Sequence, residues 1–86
     1  MNLYEIDIND SAKIILLQNS NESKLRLSEM GLMPGVEVRM VKKTPFGGPV
    51  QVKLNNYYLT LRKEDALFIS VKSKKTKWSL FQELQF

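Results

Sequence analysis

The chain has 86 residues, of which 13 are Lys or Arg and 9 are Asp or Glu, for a formal net charge of +4. It contains no Cys and no His, which excludes disulfides, thiolate and imidazole metal sites, and the commonest general base. A hydrophobic fraction of 43% excludes global disorder and fits one small globular domain.

Elements follow in chain order. Tyr4, Ile6 and Ile8 alternate with Glu5, Asp7 and Asn9, which predicts a short strand or extended lead-in. Asn9, Asp10 and Ser11 read as a turn. "KIILLQ" at 13–18 is apolar at consecutive positions, as in a strand covered on both faces. "NSNES" at 19–23 is a loop with several N-cap candidates, and "ESKLRLSEM" at 22–30 is a helix. Leu27 and Met30 share one face of it. Gly31 is suited to the left-handed position that stops the helix. Met33-Pro34-Gly35-Val36 predicts a type II turn, because Pro34 presets the first central residue and Gly35 supplies positive φ at the second. Leu32 is then placed beside Leu27 and Met30 as a plug at one end of the core.

Strands follow. Val36, Val38 and Met40 are predicted to face inward, opposite Glu37, Arg39 and Lys42. Val50, Val52 and Leu54 repeat the pattern after the loop "TPFGG", where Gly47 and Gly48 serve the turn. Asn55-Asn56 makes a tight hairpin into a strand with Tyr57, Leu59 and Leu61 on one face. "KEDA" at 63–66 is at most one helical turn, and Leu67, Ile69 and Val71 point inward from a last strand. Five or six short strands, tight turns and one short α-helix define a mainly β class. A small closed barrel removes the exposed edges that so short a chain cannot otherwise cover. The helical turn before the last strand favours an SH3-like over an OB-like barrel. The barrel domain is assigned to 1–72 and a basic, aromatic C-terminal extension to 73–86.

The positive charge is local. Without Lys72, Lys74, Lys75 and Lys77, nine basic residues face nine acidic ones. Nucleic-acid binders spread Lys and Arg over a face of the fold, so no nucleic acid is expected. A small nucleic-acid-binding or regulatory barrel is kept as the alternative. No uncharged apolar run approaches the ~20 residues of a membrane-spanning helix. The first ten residues carry acids where a signal peptide is basic. A cytoplasmic location is expected, with membrane contact only through a partner.

Three blocks of this sequence resemble the FeoA family, small accessory proteins of bacterial ferrous-iron uptake. Arg26, Leu27, Met30, Gly31, Leu32, Pro34 and Gly35 match its first block. Pro45, Gly47 and Pro49 match the second. Leu59, Thr60, Leu61, Arg62, Asp65 and Ala66 match the third, with Thr for Ser and Asp for Glu. The resemblance implies an SH3-like barrel and a partner, the FeoB-type ferrous transporter, engaged at its cytoplasmic GTP-binding region. The segment "KSKKTKWSLFQELQF" at 72–86 has no counterpart in the family pattern.

No nucleophile motif or phosphate loop is present, and a non-enzyme is expected. Glu64-Asp65 and Glu29 are the acids nearest a metal arrangement, and they read as solvated surface. No cofactor is expected, with weak divalent binding, Fe2+ included, left open. The candidate partner-contact residues are Met30, Met33, Pro45, Phe46 and Arg62. Phe46 is either a presented anchor or a lid folded over the barrel end. Arg62 either reaches a partner, as an arginine finger does, or pairs with Glu64 or Asp65. For the extension, with Trp78 and Phe81 on one face of a predicted short helix, three occupations compete. They are docking on its own barrel or on a second copy, a helix for a partner, and a membrane-surface anchor.

Overall fold

The computed structural model describes residues 1–74. The structure is a single curled antiparallel sheet of five strands, β1 (Ser11–Leu17), β2 (Glu37–Lys43), β3 (Val50–Leu54), β4 (Tyr57–Leu61) and β5 (Ile69–Ser73), with helices α1 (Asn21–Glu29) and α2 (Lys63–Leu67). The strand order is β4-β3-β2-β1-β5. The mainly β, SH3-like architecture is thus as expected. No ladder joins β4 to β5 among the described residues, so the sheet curls around its core without the hydrogen-bonded closure that was predicted. The outer edge of β5 is covered instead by the chain start: Val71 N–H donates to Met1 O at 2.9 Å, and Asn2 bridges Ser70.

The core follows the period-2 pattern of the strands. Val38 and Met40 from β2, Val50, Val52 and Leu54 from β3, and Ile69 and Val71 from β5 are all buried. Leu27 of α1 and Leu32 after it join the same cluster, with Met30 packed against it.

Between them lies the corner. Ser20 caps α1, its hydroxyl accepting from Ser23 N–H at 3.3 Å. At the other end Gly31 N–H donates to Ser28 O and Leu32 N–H to Leu27 O, both at 3.0 Å. This is the paired closure of a left-handed C-terminal cap, with Gly31 at φ 98°. Val36 N–H then donates to Met33 O at 3.1 Å, with Gly35 at φ 94°, as a type II turn requires. Gly35 N–H also donates to Ile14 O at 2.7 Å, so the turn is stitched to β1.

Three expectations are corrected. Residues 3–5 form a 3-10 turn, not a strand. Asn2 and Glu5 cap it reciprocally: Glu5 N–H donates to Asn2 Oδ1 at 3.1 Å and Asn2 N–H to Glu5 Oε1 at 2.8 Å. Leu3 and Ile6, three apart, go inward, and Ile8 is exposed. β1 is covered on one face only, because a single curled sheet has only one inside. Its register shifts between Ile14 and Leu16, leaving Ile15 and Leu16 about half exposed. Leu67 closes α2, which runs to five residues, and is exposed. Tyr57 lies partly in solvent, its hydroxyl donating to Met30 O at 3.0 Å.

The two corner glycines make different demands. A Cβ at Gly35 would meet nothing within 4 Å, whereas one at Gly31 would overlap the Tyr57 hydroxyl. Gly35→Ala is therefore expected to lose about 1–2 kcal/mol by backbone strain alone. Gly31→Ala should lose more, and Tyr57→Phe should recover the excess. Urea denaturation of the double-mutant cycle measures this; no coupling between positions 31 and 57 would refute the close approach.

Candidate interaction surface

The β2–β3 loop is built to hold one side chain out. Thr44 N–H donates to Pro49 O at 3.1 Å, closing the loop at its neck. Pro45 opens a 3-10 turn that is broken by Phe46 at φ 62°, ψ 33°. Gly47 follows at φ 75°. A Cβ at Gly48 would sit 2.8 Å from Thr44 Cγ2, so only glycine fits beneath the neck. The Phe46 side chain is fully exposed, at 106% of its reference area. Phe46 does not fold back as a lid over the barrel end. A non-glycine residue in the left-handed region stores about 1–2 kcal/mol, and such outliers gather where a site needs them.

Cations surround this loop. Lys63 Nζ would lie 3.2 Å from a Cβ at Gly47. Lys63 and Lys43 both sit over the Tyr4 ring, 5.1 and 5.6 Å from its centroid. Arg62, Lys63 and Glu64 line a shallow groove of about 250 Å3 with Gly47, Gly48 and Pro49.

Arg62 itself is tied down. Its Nε lies 3.4 Å from Asp65 Oδ2, and Arg26 Nη2 of α1 lies 3.0 Å from the same oxygen. The Asp65 side chain is only 10% exposed. Its backbone carbonyl accepts from Asn19 Nδ2 at 3.1 Å. One residue thus joins the β1–α1 loop, the middle of α1 and the β4–α2 junction. Asn19 Oδ1 is buried with no partner among the described residues. A polar cavity of about 290 Å3 beside it, lined by Ser20 and Asp65, has room for a water-sized donor.

The five candidate residues fall into two groups. Pro45, Phe46 and Arg62 lie where Val50 pairs with Leu61. Met30 lies at the opposite end of the β3–β4 hairpin, where Tyr57 pairs with Leu54 and bonds the Met30 carbonyl. Five-residue strands separate those ends by about 13 Å. Met33 is 46% exposed on the turn that is stitched to Ile14, beside the exposed pair Ile15 and Leu16. The exposure of Ile15 and Leu16 departs from the expectation of a strand covered on both faces over 13–18.

Metal ligands are sparse. Among the described residues no three His, Cys, Asp or Glu side chains come together, and Asp65 is already committed to two guanidinium groups. No described helix is long and apolar enough to cross a membrane.

The FeoA domain model matches residues 1–73. A Porphyromonas gingivalis fusion of Fe(2+) transport protein A with the Fe(2+) transporter FeoB is 32% identical over 71 residues. That match covers 83% of this chain and only 8% of the fusion protein. The solution structure of iron(II) transport protein A from Clostridium thermocellum superposes with a TM-score of 0.81 at 35% identity, covering 86% of this chain and 46% of that one. Stenotrophomonas maltophilia FeoA in complex with zinc, described as an SH3 domain protein, gives a TM-score of 0.69 at 33% identity, covering 84% and 89%.

The Asp65 cluster is a stability element in its own right. Asp65→Ala, which strands two arginines, should lower unfolding free energy by about 1–3 kcal/mol. Arg62→Ala, at an exposed position, should cost less than about 1 kcal/mol. Equal losses from the two variants in urea titrations would contradict this ranking.

Proposed function

The chain belongs to the FeoA family, and we propose that it is a non-catalytic accessory module of ferrous-iron import. In this reading it works by contact with the cytoplasmic GTP-binding region of a FeoB-type transporter. The observation that carries the reading is Phe46, an aromatic held fully in solvent by a strained, glycine-necked loop. A side chain in that position gains nothing for the fold, and its burial in a partner is worth a typical interface anchor.

The partner's chemistry follows from the surroundings. Lys43 and Lys63 near the loop call for an apolar pocket with an acidic rim. Pro45 stiffens the approach. Met33, exposed on its turn, supplies a second, softer contact, and Met30 lies beside Tyr57 at the far end of the β3–β4 hairpin. The Porphyromonas gingivalis relative supports the choice of partner, because there transport protein A and FeoB are joined as one fusion protein. A covalent link raises effective concentration and favours pairs that must meet. Iron is then the transporter's cargo, and this module holds no resident metal.

Two measurements test the reading. Phe46→Ala should weaken binding to the transporter's soluble GTP-binding domain about tenfold or more, equivalent to roughly 1.4 kcal/mol. Phe46→Gly should also lose binding while melting no lower than wild type, since glycine relieves the left-handed strain. Undiminished binding by both variants would remove the anchor. In anaerobic Fe(II) titrations the isolated chain should show no saturable site.

A further inference from the structure

Acids and bases that balance in number along the chain are separated by the fold. Among the described residues the five strands carry one acid, Glu37, and the other acids lie on α1, on α2 or before β1. The inward residues of the strands are apolar, so the alternate positions leave a basic solvent face. One cross-strand row on it runs Tyr58, Lys53, Arg39, Ser11 from β4 to β1. The next row runs Glu37, Lys13, Lys72 from β2 to β5. On the other side of the first row Lys42 stands opposite Gln51. Rows are about 7 Å apart and strands about 5 Å, so the cations form one continuous array. Lys13, Arg39, Lys42 and Lys72 are exposed and Lys53 is half-buried.

This arrangement does not serve the fold. Arg39 stands directly opposite Lys53, and Lys13 directly opposite Lys72, and like charges so placed repel. Glu37, which lies across from Lys13, is bound by Lys74 Nζ. Among the described residues, none of Lys13, Arg39, Lys42, Lys53 and Lys72 is in an ion pair. Lys72 marks the margin of the array, where it shares a groove with Asp7 and Asp10. The centre of the field is Lys13, Arg39, Lys42 and Lys53.

We propose that this face lies against the anionic lipid surface of a membrane, as a contact separate from the Phe46 loop. The choice of lipid rests on the reading of the chain as partner of a membrane transporter, which brings it within reach of headgroups. Two features of the face itself favour lipid over other polyanions. The Tyr58 ring already holds Lys53 Nζ 5.5 Å from its centroid, where a base would stack in a single-strand binder. A shallow hollow of about 240 Å3 bordered by Ser11, Glu37, Arg39, Lys53 and Asn55 is polar, and presents no exposed apolar anchor for a protein partner. A headgroup layer needs neither feature. Its charges rearrange to meet dispersed cations, and each Lys or Arg held near it raises partitioning about fivefold.

Co-sedimentation of the full chain with lipid vesicles tests this. Vesicles of phosphatidylcholine mixed with phosphatidylglycerol should bind it, pure phosphatidylcholine vesicles should not, and binding should fall steeply as salt rises. Lys13→Gln combined with Arg39→Gln should lower partitioning about tenfold or more. The melting temperature of that variant should hold or rise, because each change relieves a like-charge pair. Lys75 and Lys77 lie outside the described residues, so the comparison is repeated in a chain carrying Lys75→Gln and Lys77→Gln, with the same loss expected. Phe46→Ala should leave vesicle binding unchanged, and the Lys13→Gln, Arg39→Gln variant should keep its affinity for the transporter's GTP-binding domain. Failure of the transporter contact is thereby read separately from failure of the lipid contact. Equal partitioning with and without Lys13→Gln and Arg39→Gln, in either background, would overturn the proposal. So would equal binding to neutral and anionic vesicles, or a single-stranded oligonucleotide that strips the chain from vesicles at equal phosphate concentration.

Discussion

From Leu27 to Val36 the chain must end a helix, reverse, and enter a strand, and backbone hydrogen bonds hold that path, joined by one from the Tyr57 hydroxyl to Met30 O. The left-handed cap at Gly31 and the turn at Gly35 satisfy the groups that the helix end leaves open. The same turn reaches sideways to Ile14. As a result α1 cannot shift without moving β1 and β2. Leu27 and Leu32, both fully buried, are placed by this geometry over one end of the curled sheet. Every other contact of α1 is made against a helix already fixed at its C-terminus.

One such contact is the carboxylate of Asp65, shared by Arg26 and Arg62. All three residues belong to the blocks by which the sequence resembles the FeoA family. Their geometry gives that part of the pattern a structural reason: a nearly buried acid needs two cations, one from α1 and one from the end of β4. The Gly31, Pro34 and Gly35 part has its reason in backbone conformation. The Pro45 and Gly47 part differs, because the loop that those residues shape contributes its central side chain to solvent and not to the core. The family pattern therefore combines residues that hold the barrel together with residues that shape a surface.

The sequence was most legible where chemistry is local. Positive φ at Gly31 and Gly35, a type II turn at Pro34, and inward Val50, Val52 and Leu54 all follow from neighbours in the chain. It was least legible where two periods compete. Tyr4, Ile6 and Ile8 alternate like a strand, yet Leu3 and Ile6 carry the helical spacing, and the reciprocal Asn2–Glu5 cap decided between them. The exposure of Ile15 and Leu16 depends on how many layers the sheet has, which no window of residues records. The candidate contact residues were named singly. The separation of Pro45, Phe46 and Arg62 from Met30 at the two ends of the β3–β4 hairpin is a product of strand pairing and could not be read from spacing. The acid that pairs with Arg62 was anticipated as Glu64 or Asp65, but the second arginine on Asp65 comes from 39 residues away.

The way the chain start lies along β5 has a practical corollary. Met1 and Asn2 occupy the outer edge of that strand by backbone contacts, while the Asn2 side chain caps the turn that follows. Take them away and the Val71 amide becomes an open template for strands of other molecules. Protein trimmed at this end, or carrying a bulky leader that pulls the segment off, would be prone to sheet-mediated aggregation while its core stayed unchanged.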